Sequence, residues 1–196
     1  MEFKNAIALT GGIATGKSSV CSILKLYGYH IIDADKIAHD VLHDNKDNIA
    51  QMFGDQFIID DRVDRKKLGD LIFNNKSQRK KLENLLHPII RQTIQQLAKE
   101  REKFQVPYIL EIPLFFDKRG YNWIKRNILV YTPKEIQLQR LLNRAKISHE
   151  KAKNIIKSQM DIEEKRKLAD FVIDNSKDLK HLQNEVERAI NEYIKI

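Results

Sequence analysis

Eight residues near the amino terminus, Gly11 to Ser18, read GGIATGKS and fit G-x-x-x-x-G-K-[ST], the phosphate-binding loop. Gly11, Gly12 and Gly16 let the backbone turn tightly, so that successive N–H groups point inward at phosphate oxygens. Lys17 is the amine that reaches β- and γ-phosphates, and the Ser18 hydroxyl is the ligand for Mg²⁺. The residues Gly12, Ile13, Ala14, Thr15, Gly16, Lys17, Ser18 and Ser19 are therefore the candidate cradle of a nucleoside triphosphate.

Further groups fit phosphate chemistry. Asp33-Ala34-Asp35 sets two carboxylates two apart, where they can position an acceptor hydroxyl or surround Mg²⁺. Capping of a helix from Lys36 explains Asp35 alone, but not the pair. Glu111, before Pro113, is placed to orient water or metal near the phosphates. The run Leu114-Phe115-Phe116 suits packing in a groove or core. Arg140 and Arg144, four apart, share one helix face and can offset charge on a transferring phosphoryl group.

These residues need elements to hold them. Apolar runs at 6–10, 30–33, 106–112, 127–131 and 171–174 read as short strands, alternating with helical stretches. Such alternation predicts an α/β three-layer fold with a parallel sheet, and right-handed crossovers collect the ligand at one sheet edge. A helix from Ser18 to Tyr27, stopped at Gly28, follows the loop. Between 34 and 103 only Phe57-Ile58-Ile59 breaks a polar, helical composition, which reads as an insertion carrying a second-substrate site. Thr132-Pro133 opens the helix of Arg140 and Arg144. A second helix, from near Ser148, carries Lys153, Lys157 and Gln159, and the two form a hairpin lid. The stretch after the last strand suits contact with a base.

Lys and Arg number 35 against 27 Asp and Glu, a formal net charge of +8, which suits an anionic partner. The basic residues are spread over many helices, and no nucleic-acid recognition motif accompanies them, so no nucleic-acid partner is expected. No apolar run approaches a membrane span, and no membrane partner is expected. One cysteine, Cys21, excludes an internal disulfide and points to the cytoplasm.

With these segments in place, the chain resembles the dephospho-coenzyme A kinases nearly end to end. Thr10 to Ser18 match that family's T-G-G-I-[GA]-x-G-K-S loop, and Asp33-Ala34-Asp35 match its D-A-D. Leu86-His87-Pro88 match its Leu-His-Pro element, and Ala169 to Asn175 a late A-D-x-V-I-D-N. The resemblance implies a P-loop NTPase-type fold, with a helical substrate-binding insertion and a helical lid, in one domain. The nucleotide core falls at about 1–35, 104–140 and 165–196, the acceptor-binding region at about 36–103 and the lid at about 141–164. It implies transfer of the ATP γ-phosphate, with Mg²⁺, to the ribose 3′-hydroxyl of dephospho-coenzyme A. By motif position Asp35 is the base, assisted by Asp33, and Arg144 is the lid arginine ahead of Arg140. Thr10, His87, Arg91, Glu111 and Leu114 fall on the acceptor side with the two aspartates. The chain departs from the family twice. Glu111 and Asp117 reverse the usual Asp and Glu around the Pro-Leu run, and Arg144 is followed by Ala145-Lys146 instead of an acidic residue.

Overall fold

The computed structural model describes residues 3–117, 120–145 and 147–195. Five parallel strands make the main sheet: β1 (Ala6–Gly11), β2 (Ile31–Asp33), β5 (Tyr108–Glu111), β6 (Arg126–Tyr131) and β7 (Phe171–Asp174). Their order across the sheet is β2-β5-β1-β6-β7, so β1 sits at the centre. β1 is buried along its whole length, as a strand covered on both faces must be. Register places Leu9 and Asp33 on either side of Glu111, and Gly11 beside Val130. All five carboxyl ends therefore point to one edge, which the loops after them occupy.

α1 (Lys17–Leu26) and α9 (Leu179–Ala189) cover one face. Val20, Cys21 and Leu24 of α1, with Leu182, Val186 and Ala189 of α9, close on Ile7, Leu9, Ile109, Ile128, Val130 and Ile173. Spacings of three and four put each set on one side of its helix. Full burial of each large aliphatic side chain contributes about 2 kcal/mol. A five-residue π-helical segment, Ile190–Ile194, continues α9 and adds Ile190 and Ile194 to this core. α6 (Lys134–Ala145), α7 (His149–Lys157) and α8 (Ile162–Leu168) separate β6 from β7.

The chain divides into two compact units, Met1–Asp33 with Ala98–Ile196, and Ala34–Leu97. The second holds α2 (Ala34–Asp44), α3 (Lys46–Phe53), α4 (Arg65–Asn74) and most of α5 (Lys76–Glu102). The apolar run at 57–59 becomes strand β3 (Ile58–Ile59), paired antiparallel with β4 (Arg62–Val63). Asp60 and Asp61 both adopt left-handed φ, as a two-residue hairpin turn demands. The strand expected over 106–112 is shorter. Gln105 takes a left-handed φ after α5, and Pro107 has no N–H to pair, so regular pairing starts at Tyr108.

Candidate active site

The phosphate loop leaves β1 at Gly11. A Cβ there would stand 2.6 Å from Thr15 Oγ1 and 2.9 Å from Val130 O, so only glycine fits. Thr15 closes the loop on itself by donating its hydroxyl to Gly12 O at 2.9 Å. Gly16 has φ 89°, and a Cβ on it would come within 2.1 Å of Asn175 Nδ2. α1 starts immediately after, with no side-chain cap and no acidic residue in its first turn. By contrast α4, α7, α8 and α9 are capped by Asp64, Ser148, Asp161 and Asp178. The α1 N-terminus thus offers its N–H groups and partial positive charge to an anion. Lys17 Nζ reaches back to Gly12 O at 3.4 Å, while Ser18 and Ser19 are exposed beside it.

A second layer of buried polar side chains holds this loop. Asn175 Nδ2 donates to Thr15 O at 2.7 Å. Thr132 Oγ1 lies 3.2 Å from Thr15 O and 3.1 Å from Asn175 O. Gln137 Nε2 donates to Thr132 O at 2.7 Å, and its Oε1 fills the space where a Cβ on Gly12 would be. Arg140, near the middle of α6, donates to Asn175 O at 2.9 Å, whereas Arg144 is exposed near that helix's end. Of the two arginines the structure ties Arg140 to the elements around the loop. Of the Ala145-Lys146 run that stands in place of the expected acidic residue, Ala145 ends α6 and Lys146 lies outside the described residues.

The α6–α7 hairpin exists as expected, with Ser148 as the α7 cap. Its root already touches the loop, since Ile13 N–H donates to Gln159 Oε1 at 2.8 Å. A cavity of about 640 Å³ lies there, lined by Gly12, Gln137, Leu138, Lys153, Lys157 and Gln159 among others.

The carboxylates have separate partners. Asp33 and Glu111 are in register on adjacent strands. Cys21 Sγ donates to Glu111 Oε2 at 3.2 Å. Burial, and then the Glu111 charge, push the Cys21 thiol far above its ordinary range, so it stays protonated. Asp117 pairs with Lys165 at 2.6 Å. The reversal of Glu and Asp thus gives the longer arm to the α1 contact and the shorter one to a buried lysine. Thr10 is buried, and its hydroxyl donates to Pro113 O at 3.1 Å, fastening the turn that holds half-buried Leu114. Among the described residues no group of three or more His, Cys, Asp or Glu is arranged to hold a metal.

Asp35 lies in the first turn of α2, directly after β2. His87 and Arg91 lie one turn apart on α5, where Arg91 Nε donates to His87 O at 3.2 Å. Thr132, Gln137, Gln159 and Lys165 are the residues that sequence reading passed over as loop supports. Their signal is a polar side chain at a position that must face inward, visible only once the packing is known. Asn175 had a stronger signal, as the last residue of the A-D-x-V-I-D-N match.

A central parallel strand that delivers a glycine-rich loop into a bare helix N-terminus, with a helical hairpin rooted beside it, defines a P-loop protein of the kinase type. The dephospho-CoA kinase family model matches residues 5–181, and the chain belongs to that family, which phosphorylates dephospho-CoA to CoA in the last step of CoA biosynthesis. It is 51% identical to the dephospho-CoA kinase of Sulfurimonas denitrificans, over 97% of this chain and 94% of that one. It is 47% identical to the enzyme of that name from Helicobacter pylori, over 96% and 97% of the two chains. The solved dephospho-CoA kinase of Campylobacter jejuni superposes with a TM-score of 0.78 at 40% identity, covering 97% of this chain and 98% of that one. Membership of a kinase family makes ATP the phosphoryl donor. Among the described residues no helix is long and apolar enough to cross a membrane.

Proposed function

We propose that this chain transfers the γ-phosphate of Mg·ATP to the ribose 3′-hydroxyl of dephospho-coenzyme A, with each site residue in a definite role. The observation that carries the reading is the loop itself. Gly16 in its left-handed conformation, the uncapped start of α1 and Lys17 together form an anion cradle, within a family match of residues 5–181.

The loop from Gly12 to Ser19 holds the phosphates, through N–H groups other than the Ile13 one that Gln159 engages, and Lys17 draws charge from the β–γ bridge as it breaks. Ser18, exposed on the first turn of α1, supplies a hard oxygen of the kind Mg²⁺ takes, with phosphates and water completing its shell. Bound there, the ion neutralises part of the triphosphate charge. Asp35 accepts the proton of the 3′-hydroxyl as its oxygen attacks, and Asp33 orients it. Arg140 and Arg144 offset the charge of the phosphoryl group in flight. Thr10, His87, Arg91, Glu111 and Leu114 serve the acceptor. In this reading the helical stretch at about 36–103 is the acceptor-binding region, and the α6–α7 hairpin closes as a lid. A reducing cytoplasm suits its lone buried thiol.

An acceptor panel tests the reading. ADP release from Mg·ATP should rise strongly with dephospho-CoA and little with adenosine, AMP or shikimate. A preference for another acceptor would overturn the assignment while leaving the loop chemistry intact.

A further inference from the structure

Lys165, on α8, is fully buried and has no part in the transfer steps above. Its ammonium lies 2.6 Å from Asp117 Oδ2 and 3.5 Å from Gly11 O. Asp117 Oδ1 accepts from Met160 N–H at 2.6 Å. One residue earlier, Gln159 Oε1 accepts from Ile13 N–H at 2.8 Å. The contacts close a ring: Gly11 and Ile13 on the leading limb of the phosphate loop, Gln159 and Met160 at the α7–α8 junction, Asp117 after β5, and Lys165 joining them.

Stability alone is a weak reason for such a pair, because apolar residues of similar size often hold a core as well. The ring's position supplies a better one. Lys17 Nζ reaches back to Gly12 O at 3.4 Å, so the amine that meets the β- and γ-phosphates rests on the limb that the ring fixes. The other limb has separate support, from Asn175 and Thr132 on Thr15 O.

We propose that Lys165, acting through Gly11 O and Asp117, is a positioning residue for phosphoryl transfer: it sets the leading limb of the phosphate loop and ties the root of the lid hairpin to it. The inference rests on the phosphoryl-transfer reading above. Its effect is on geometry at the reacting end, where a displacement of about 1 Å can change rate about 100-fold.

Lys165→Met, Asp117→Asn and the double variant test it, each measured for kcat, Mg·ATP affinity by calorimetry, and Tm. Lys165→Met should lower Tm and reduce kcat by about 100-fold, because a charged partner is stranded and the limb is released. The double variant strands no charge and should regain most of the Tm, yet keep the low kcat. Mg·ATP affinity should change less than about threefold throughout, since the α1 end of the cradle is intact. Recovery of kcat together with Tm in the double variant would make the pair purely structural and overturn the proposal. If Lys165→Met does not fold, Asp117→Asn decides: kcat at least about 10-fold lower at unchanged affinity supports the inference, and wild-type kcat sinks it. A wild-type protein that forms no CoA would defeat the functional reading instead. The same split is then read in acceptor-independent hydrolysis of Mg·ATP, where an unchanged rate in Lys165→Met would overturn the inference on its own.

Discussion

Between Ala34 and Leu97 the buried side chains are Ala34, Ile37, Val41, Ile49, Phe57, Val63, Leu68, Leu82, Leu86 and Ile94, all apolar. Around the phosphate loop they include Thr10, Thr15, Thr132, Gln137, Lys165 and Asn175. Among the described residues, no buried polar side chain falls in the helical unit. Apolar contacts are non-directional and tolerate small shifts, while a buried hydrogen bond fixes distance and angle and is costly to leave unmade. The loop has to present a row of N–H groups to phosphate within tenths of an ångström, and it is held by directional bonds. The helical unit needs a shape more than a fixed set of dipoles.

That contrast can be broken by substitution. The largest effect should come from Lys17→Ala, which removes a charged contact to the transferring group. We expect kcat/KM to fall about 1,000-fold or more, a loss of about 4 kcal/mol in transition-state stabilisation, with a normal melting curve. Asp35→Asn should follow, with kcat lower by about 100- to 10,000-fold and Mg·ATP binding retained in calorimetry. Near-normal turnover would remove Asp35 from the mechanism and turn attention to Asp33.

A matched pair then sharpens the comparison. Leu86→Ala in the helical unit should cost about 2–5 kcal/mol of stability in denaturant titration, yet leave Mg·ATP affinity unchanged. Asn175→Ala strips a donor from Thr15 O and should cost less, about 1–3 kcal/mol, but weaken Mg·ATP binding as the loop loosens. If Leu86→Ala lost nucleotide and Asn175→Ala did not, the contrast between the two regions would be wrong.

The smallest effect concerns Cys21. Its thiol titrates far higher in the folded chain than in the unfolded one, because burial and Glu111 disfavour the thiolate. Above about pH 8.5 the unfolded chain loses a proton that the folded chain keeps. Stability present below that pH should therefore decline as pH rises further. Cys21→Ala should flatten that decline in a series of melts at rising pH.

The strands and the loop were legible because their signals are local. Ala6–Gly11 and Phe171–Asp174 are apolar runs bounded by turn residues, and GGIATGKS carries its own chemistry. The ring around Lys165 was not legible. Nothing in KRKLADFVIDNS separates Lys165 from the exposed Arg166 and Lys167 until α8 is docked. Arg140 and Arg144 share a helix face by spacing alone, and only the fold shows which of them meets Asn175. The hairpin turn at Asp60-Asp61 escaped because two aspartates in left-handed conformations lack the glycine that usually marks such a turn.

The most direct test of the central claim is the product itself. Purified protein with Mg·ATP and dephospho-CoA should release one ADP per molecule of CoA formed, with the new phosphate on the ribose 3′ oxygen by mass spectrometry and ³¹P NMR. Tight Mg·ATP binding with no 3′-phosphorylated product would contradict it, leaving a phosphate loop whose acceptor has been misassigned.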